Sequence, residues 1–220
     1  GQELAVEYLV NHYKNLGIPS VKDDSYLQAV PLQLEIKPDI SLRISDQKFL
    51  YYQDYISYAN GPDKNYNSVE TIFAGYGIDD ENYSDYSNLD VKGKIVVALG
   101  GEPLDDNENY FINGKDKSKW SNSREEISLK RSTAKNNGAL ALILVDDYLY
   151  RRYKSRFEYS DSGRGEKRMA LGNDEENNFQ VLLFSEKHKN FLSKDGLNLN
   201  LSFKKNVESF TADNLSLIHI

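Results

Sequence analysis

The stretch of sequence that decides the fold runs from residue 73 to residue 103: FAGYGIDDENYSDYSNLDVKGKIVVALGGEP. It contains a Gly-Tyr-Gly turn, a run of acids and tyrosines, and an apolar segment that predicts a buried strand over residues 94–99. The residues Asp90-Val91-Lys92-Gly93 before this strand predict a type I turn, with Asp at its first position and Gly at its fourth. The stretch is therefore either a ligand-binding edge or a structural frame.

Composition restricts the classes of protein to which the chain can belong. Its 220 residues fit one large domain or two small ones. A mean hydropathy of -0.65 and apolar runs shorter than about 18 residues argue against a transmembrane helix. A net charge of -7 disfavours nucleic acid as a partner. With no cysteine, these residues can form neither disulfides nor zinc-thiolate sites.

Hydrophobic periodicity predicts the elements around the opening stretch. Residues 2–16 predict an amphipathic helix, and the segments LQAVPLQLEI and ISLRI predict two strands. A capping-box pattern at residues 123–126 predicts the start of a second helix, which ends at Gly138 before the apolar strand ALALILV. The order strand, helix, strand predicts a right-handed parallel crossover.

The second half of the chain predicts a further strand–helix–strand unit. Residues 150–178 are charged and rich in Gly and Asn, which predicts a mobile insertion. FQVLLF predicts a strand, SEKHKNFLSK a short helix, and LNLNLSF a half-exposed strand. The fold class expected from these patterns is α/β.

Phosphate-binding and metal-binding patterns are incomplete in this sequence. The glycines at 75, 77, 100 and 101 form neither G-x-G-x-x-G nor a Walker loop, so structural turns are favoured. The acidic runs 79–81 and 105–108 lack the spacing of an EF-hand. The three histidines, at positions 12, 188 and 219, are far apart, and the one at 188 is expected on an exposed helix. No catalytic or metal-ligating residue is assigned.

Two weaker possibilities rest on residue types alone. Paired acids could hydrolyse glycosides. The sixteen tyrosines could form a stacking surface, although tyrosines that fill strand faces and keep their hydroxyls in water are the commoner case. A nucleophile elbow, G-x-S-x-G, does not occur.

The motifs F-A-G-Y-G-I, D-Y-S-N-L-D-V-K-G-K-I-V-V and G-E-P, in this order, resemble the protease-associated (PA) domain of di-zinc aminopeptidases. Those enzymes belong to the glutamate carboxypeptidase and transferrin receptor superfamily. The segments KRSTAKNNGALALILVDD and FQVLLFSEKHKNFLSK are similar to later elements of the same domain. GQELAVEYLVNHYKNLGIPS resembles the first helix of the peptidase domain, and TADN at 211–214 resembles the return to it.

This resemblance implies a fold and a set of domain boundaries. The expected fold is a PA-type α/β domain, a mixed β-sheet or open barrel with flanking helices, plus an incomplete N-terminal piece of a peptidase domain. The expected ranges are 1–45 for the peptidase-domain piece, 46–206 for the PA domain and 207–220 for the return. The motif residues are expected to build a structural frame: Gly75, Tyr76, Gly77, Asp90, Gly93, Lys94 and Gly138.

The resemblance also implies a function. The chain would be the N-terminal, PA-domain portion of an exported zinc-dependent aminopeptidase, an enzyme that hydrolyses N-terminal residues from peptides. The PA domain would shape substrate access. The two zinc ions and the contacts to peptide substrate would belong to the peptidase portion beyond residue 220. His219 lacks an Asp two positions on and is not taken as a metal ligand, and Ser216 stands where the family has Gly.

Location and alternatives follow from the same resemblance. The protein is expected outside the cytoplasm, in the periplasm, at the cell surface or secreted. One alternative is a non-catalytic protein-interaction module of a receptor-like relative. Another is a PA domain of a serine peptidase, against which the helix predicted at 2–16 argues.

Overall fold

The structure is a computed structural model, and its chain divides into two compact units. It describes residues 2–20, 25–59, 63–122, 125–164, 168–171 and 179–215. Unit one comprises residues 1–35, 168–174 and 207–220, and unit two comprises residues 36–167 and 175–206. Strands β1 (Leu27–Ile44) and β11 (Asn198–Leu215) contribute residues to both units. Within the described ranges, no helix has the length and apolar character needed to cross a membrane.

Unit one contains helix α1 (Gln2–Asn15) and strand β9 (Arg168–Leu171), which pairs antiparallel with β1. The helix ends as its sequence predicts, since Gly17 has a positive φ of 68° and follows the last turn. Among the apolar side chains of α1, Leu4 is 72% and Tyr8 is 69% exposed, while Val6, Val10 and Tyr13 are half-buried. The apolar stripe of the helix is therefore only partly covered.

Unit two is built on a mixed sheet with strand order β2-β1-β11-β4-β7-β8-β10-β3. Its remaining strands are β2 (Gln47–Phe49), β3 (Tyr55–Ala59), β4 (Lys64–Phe73), β7 (Ile95–Leu99), β8 (Ala141–Val145) and β10 (Gln180–Phe184). The central strands β4, β7, β8 and β10 run parallel, and the flanking pairs β1–β2, β4–β11 and β3–β10 are antiparallel. A separate hairpin joins β5 (Asp79–Asp80) to β6 (Tyr83–Ser84).

Helices connect the parallel strands of unit two. Helix α2 (Glu126–Asn136) joins β7 to β8, and α3 (Asp147–Asp161) joins β8 to β10. The short helix α4 (Lys189–Leu192) precedes β11. The chain that joins β7 to β8 therefore contains a helix, as the sequence predicts, and the parallel pairing of the two strands is confirmed.

Two apolar clusters lie on the two faces of this sheet. Val96 and Leu142 belong to one cluster, whereas Val97 and Ile143, one residue further along each strand, belong to the other. Successive side chains of a strand point to opposite faces, so β7 and β8 are buried on both. This double burial explains why their sequences are continuous apolar runs.

The two strands predicted between residues 27 and 44 are one continuous strand, β1. Pro38 lies inside it and is buried. Proline removes one N–H donor, but its fixed φ is compatible with extended backbone, so it interrupts the hydrogen-bond ladder without ending the strand. The prediction of a break was therefore wrong.

The insertion predicted over residues 150–178 is also wrong for its described first part, which belongs to α3. Leu149, Tyr150 and Phe157 of this helix are buried, while Arg151 and Arg152 are exposed. The high charge of the exposed face concealed a 3.6-residue apolar period. Residues 165–167 and 172–178 of the predicted insertion lie outside the described part of the chain.

Other differences concern pairing and helix start. Strand β11 pairs antiparallel with β4 and not with β10, so the second parallel connection is β8–α3–β10. Helix α2 begins at Glu126, and its N-cap residue Glu125 makes no side-chain capping bond. The expected capping residue Ser123 lies outside the described residues.

The tyrosines do not all keep their hydroxyls in water. The hydroxyls of Tyr55 and Tyr86 are buried, and neither has a hydrogen-bond partner among the described residues. Burial raises the pKa of both phenols above its ordinary value. The expectation of exposed hydroxyls is wrong for these two positions.

Candidate functional site

The seven motif residues lie at opposite ends of the parallel strands. Gly75, Tyr76 and Gly77 follow β4 at the carboxyl edge of the sheet, the edge where ligands bind in many open α/β folds. Asp90, Gly93, Lys94 and Gly138 precede β7 and β8 at the amino edge. The five-residue length of β7 separates the two groups by about 13 Å, at about 3.3 Å per residue.

At the amino edge, the turn before β7 spans Val91–Lys94 and not Asp90–Gly93 as predicted. The Lys94 N–H donates to the Val91 carbonyl at 3.1 Å, and Gly93 is the third residue of the turn with a φ of 74°. A positive φ at the third position is typical of a type II turn, which favours glycine there. The Asp90 carboxylate accepts the Lys92 N–H at 3.3 Å.

Two backbone hydrogen bonds bring Gly138 to this turn. The Gly93 N–H donates to the Gly138 carbonyl at 3.0 Å, and the Leu140 N–H donates to the Lys94 carbonyl at 2.8 Å. The Lys94 ammonium lies 3.2 Å from the Glu70 carboxylate at the surface. These contacts align the starts of β7 and β8, which is a structural task.

At the carboxyl edge, the glycines make room for neighbouring side chains. A Cβ on Gly75 would overlap the carboxylate of Asp85, lying 2.9 Å from its Cγ. A Cβ on Gly77 would lie 2.8 Å from the Cβ of Ala98. Gly75 and Gly77 also have positive φ values, of 46° and 68°, which favour glycine.

The Asp85 carboxylate packs directly against the Gly-Tyr-Gly turn. It accepts the N–H groups of Tyr76 and Ile78 at 3.1 and 3.0 Å and the Tyr83 hydroxyl at 2.7 Å. Burial, together with this hydrogen bond to a carboxylate, raises the pKa of the Tyr83 phenol. The turn thus binds a carboxylate of its own chain.

A buried ion pair holds the next turn. The Lys130 ammonium of α2 donates to the Glu126 carboxylate at 2.9 Å and to the carbonyls of Leu99 and Gly101 at 2.8 and 2.7 Å. Glu126 in turn accepts the Gly101 N–H at 2.6 Å. Lys130 is fully buried and Glu126 is 4% exposed. Burial lowers the pKa of Lys130, although Glu126 opposes that change.

Asp146 completes this edge as the N-cap of α3. Its carboxylate accepts the Leu149 N–H at 2.6 Å, which satisfies a free donor of the first helical turn. A Cβ on Gly100 would overlap this carboxylate, at 2.6 Å from its Cγ. Burial raises the pKa of Asp146, and its helix N–H donors counteract that rise.

These four residues, Asp85, Glu126, Lys130 and Asp146, are named here the carboxyl-edge cluster. The ammonium of Lys130 uses all three of its N–H donors within the protein, and each carboxylate accepts donors of its own chain. Polar groups buried in this way hold backbone in place because leaving any of them unpaired is costly. The arrangement clamps three turns together.

Sequence reasoning missed this cluster, although part of its pattern is visible. Glu126 and Lys130 stand four apart on α2, which is the spacing of a helical ion pair. Asp146 directly follows an apolar strand, in the position of a helix N-cap. The partners Leu99 and Gly101, which make the pair a clamp, carry no sequence signal.

The acidic runs are used in loop structure. Asp80 accepts the Trp120 indole N–H at 2.8 Å and lies 3.2 Å from the Lys119 ammonium, and both lower its pKa. Asp105 accepts the N–H groups of Asn107 and Asn109, each at 2.8 Å. Across the described ranges, no three histidine, cysteine or acidic side chains are grouped so that they could hold a metal ion. The zinc implied by the resemblance therefore has no matching ligand set in these residues.

His188 was predicted to lie on an exposed helix, but its side chain is half-buried. Its Nε2 lies 2.9 Å from the Asp54 carboxylate, its ring packs edge-on against Phe49 at 5.0 Å, and its side chain is 14% exposed. The Ser185 hydroxyl, a potential nucleophile nearby, donates to Asp147 at 2.9 Å. The Asp54–His188 pair therefore does not extend to this serine. His12 is exposed on α1, and His219 lies outside the described residues.

The chain matches no protein-family profile and no curated protein sequence. In structure it is similar to BSAP, a zinc aminopeptidase from Bacillus subtilis, of which two solved structures align at 13% identity with TM-scores of 0.41 and 0.42. They cover 95% of this chain, which spans 39% of theirs. It is also similar to the subtilisin-like protease Apa1 from the psychrotroph Pseudoalteromonas sp. AS-11, at 12% identity and a TM-score of 0.41, over 83% of this chain and 36% of that one. At these identities and TM-scores the similarity concerns only the general path of the chain, and it does not indicate what the chain does.

Proposed function

We propose that this chain is a PA-type, non-catalytic portion of an exported zinc aminopeptidase, in which it shapes access of peptides to a peptidase domain elsewhere in the protein. The observation that carries the proposal is the carboxyl-edge cluster. At the carboxyl edge of the sheet, where an α/β fold could bind a reactant, this chain has Asp85, Asp146 and the Glu126–Lys130 pair. Chemistry is accordingly assigned to other parts of the protein.

Two further features support this proposal. The ordered motifs between residues 73 and 103 resemble a PA domain, and the residues of both apolar clusters lie within unit two. We place the PA-type domain at residues 46–206, with 1–45 and 207–220 belonging to a peptidase domain. In the complete enzyme two zinc ions would activate water and polarise the scissile carbonyl. The described residues would hold neither ion.

The proposal is tested on the gene and on the purified chain. Beyond residue 220 the coding sequence is expected to contain His-x-Asp followed by further acidic ligands. The 220-residue chain with added zinc is expected to release no amine from aminoacyl anilides, whereas the complete protein releases it until a chelator is added. Turnover by the 220-residue chain that a chelator abolishes would refute the assignment of catalysis to another domain.

A second candidate is an interaction module of a receptor-like protein. Exposed aromatic side chains, among them Phe111, Tyr148 and Tyr159 at 56–62% exposure, are of the residue types that such a module would use to contact another protein. The coding sequence beyond residue 220 distinguishes the two candidates. A receptor-like parent would retain the peptidase fold with its zinc ligands replaced, and the complete protein would have no chelator-sensitive turnover.

A further inference from the structure

A groove of about 550 Å³ lies on the outer side of β1 and β11, within unit two. Six polar or aromatic residues line it: Lys37, Asp39, Ser41, Tyr51, Ser202 and Lys204. The five strand residues among them are exposed, while Leu42 and Phe203, which point to the opposite face, are buried in the core. The alternation of the two strands thus separates a core face from a polar groove.

The ammonium groups of two lysines are available in this groove. Lys37 Nζ lies 6.0 Å from the ring centroid of Tyr51 and 5.6 Å from that of Tyr52, within the range of cation–π attraction. Neither Lys37 nor Lys204 forms an ion pair or a hydrogen bond through its side chain with any described residue. The aromatic rings position Lys37 and leave its N–H donors free.

The aromatic platform beneath Lys37 is held in a strained conformation. Tyr52 has a φ of 68°, which is unusual for a bulky residue. Three hydrogen bonds hold it there: its hydroxyl donates to Asp161, its carbonyl accepts the Tyr150 hydroxyl at 2.7 Å, and its N–H donates to the Tyr55 carbonyl at 2.8 Å. Because three hydrogen bonds hold Tyr52 in this strained conformation, we infer that the orientation of its ring is important.

We infer that this groove, the Lys37 groove, binds an extended peptide segment that carries Asp or Glu side chains. Free ammonium groups bind carboxylates, and the hydroxyls of Ser41 and Ser202 can donate hydrogen bonds to the same ligand. Alternate residues of a strand repeat every 6.6–6.8 Å or so, and an extended peptide lying along β1 has the same repeat. On a chain of net charge -7, this groove is a local basic exception that favours an acidic partner.

Asp39 makes it possible to test whether the ligand of the groove is negatively charged. Its carboxylate lines the same groove and forms no ion pair with a described residue. It opposes an acidic ligand, so removing its charge strengthens binding. A gain in affinity cannot result from a variant that merely fails to fold.

The experiment measures fluorescence anisotropy of a labelled Glu-Gly-Glu-Gly-Glu peptide with the 220-residue chain at low salt. The control peptide has Gln in place of Glu, and the control variant is Lys48→Met, which removes an exposed lysine on β2 outside the groove. Lys37→Met and Lys204→Met are each expected to raise Kd by roughly fivefold, the size of one exposed charge contact. Asp39→Asn lowers Kd by roughly twofold to threefold, and Lys48→Met leaves it unchanged.

Three results of these titrations would overturn the inference. They are equal binding of the Glu and Gln peptides, a loss in Lys48→Met as large as that in Lys37→Met, and weaker binding by Asp39→Asn. Full competition by inorganic phosphate at constant ionic strength would also overturn it, since the groove would then be a simple anion site. Circular dichroism of each variant verifies that the fold is retained. None of these outcomes depends on whether the parent protein is a peptidase.

Discussion

At Gly100 the space that a side chain would need is filled by the carboxylate of Asp146, the N-cap of α3. Gly75 stands in the same relation to Asp85. In each case a glycine on one turn allows a carboxylate from another part of the chain to approach the backbone. The requirement for glycine comes from a contact within the protein.

The substitution Gly100→Ala tests this relation. We expect it to lower the free energy of unfolding by about 2–3 kcal/mol, because the new methyl group displaces Asp146 and disturbs its cap. Asp146→Gly, which removes both the carboxylate and the Cβ that would overlap the new methyl group, costs about 1 kcal/mol or less by itself. In the Asp146→Gly background, Gly100→Ala should cost less than about 1 kcal/mol, since both overlapping groups are gone. Urea denaturation of the four proteins measures the cycle, and strictly additive losses would contradict the explanation.

The buried Glu126–Lys130 pair supports a second prediction. Lys130→Met leaves the Glu126 carboxylate buried without its cation, so a loss of about 3–5 kcal/mol is expected. The double variant Glu126→Leu/Lys130→Met should be more stable than Lys130→Met, because it leaves no unpaired buried charge. Lys94→Met, which breaks the exposed pair with Glu70, is the control and should cost no more than about 1 kcal/mol. Thermal and urea unfolding provide the comparison.

Between residues 49 and 54, a loop connects β2 to β3 and is tied to the segment before α4. One oxygen of Asp54 lies 2.7 Å from the Lys187 ammonium and 2.9 Å from His188 Nε2, and the other accepts the Leu50 N–H at 2.8 Å. Burial by itself would raise the pKa of Asp54, but these partners outweigh it and hold the pKa below its ordinary value. The contact between the two segments therefore depends on an ionised carboxylate.

The effect of pH follows from that direction. A carboxylate whose folded-state pKa is lowered adds stability above its unfolded pKa and loses it as pH falls through the folded pKa. Asp54→Asn should therefore cost about 1–2 kcal/mol at about pH 7, and less at about pH 3. Asp46→Asn, at an exposed position, is the matched control. A cost that does not change between the two pH values would show that the ionised form is not what matters.

At the scale of the whole molecule, the two units differ in how much apolar surface they bury. The residues of both core clusters, including Leu142 and Phe184, lie in unit two. In unit one, Leu4 of α1 and Leu16 just after the helix are more than 60% exposed, and Val6, Val10 and Tyr13 are only half-buried. A 14-residue helix whose apolar side chains are at most half-buried is marginally stable in water.

This contrast predicts unequal hydrogen exchange. The amides of α1 should exchange by local opening, far faster than those of β8, which is buried on both faces. Mass spectrometry of peptides from the two elements, measured on one sample of the 220-residue chain, gives the comparison. Protection of α1 equal to that of β8 would mean that the helix has a packed partner.

The sequence by itself determined the central elements of unit two. The apolar runs at β7, β8 and β10 and the glycine after α2 are local signals, because each depends only on residues that are neighbours in the chain. The parallel pairing of β7 with β8 followed from their order with a helix between them. The glycines around residue 75 indicated turns, although not the reason for glycine.

Only the tertiary structure decided which distant groups meet. Strand β11 pairs with β4, Lys130 reaches the carbonyls after β7, and Asp85 fills the space beside Gly75. Such contacts join residues far apart in the chain, and their free energy comes from desolvation and hydrogen bonding that exist only once the sheet has formed. A local pattern can show that a side chain is polar, whereas its burial and its partner are properties of the folded chain.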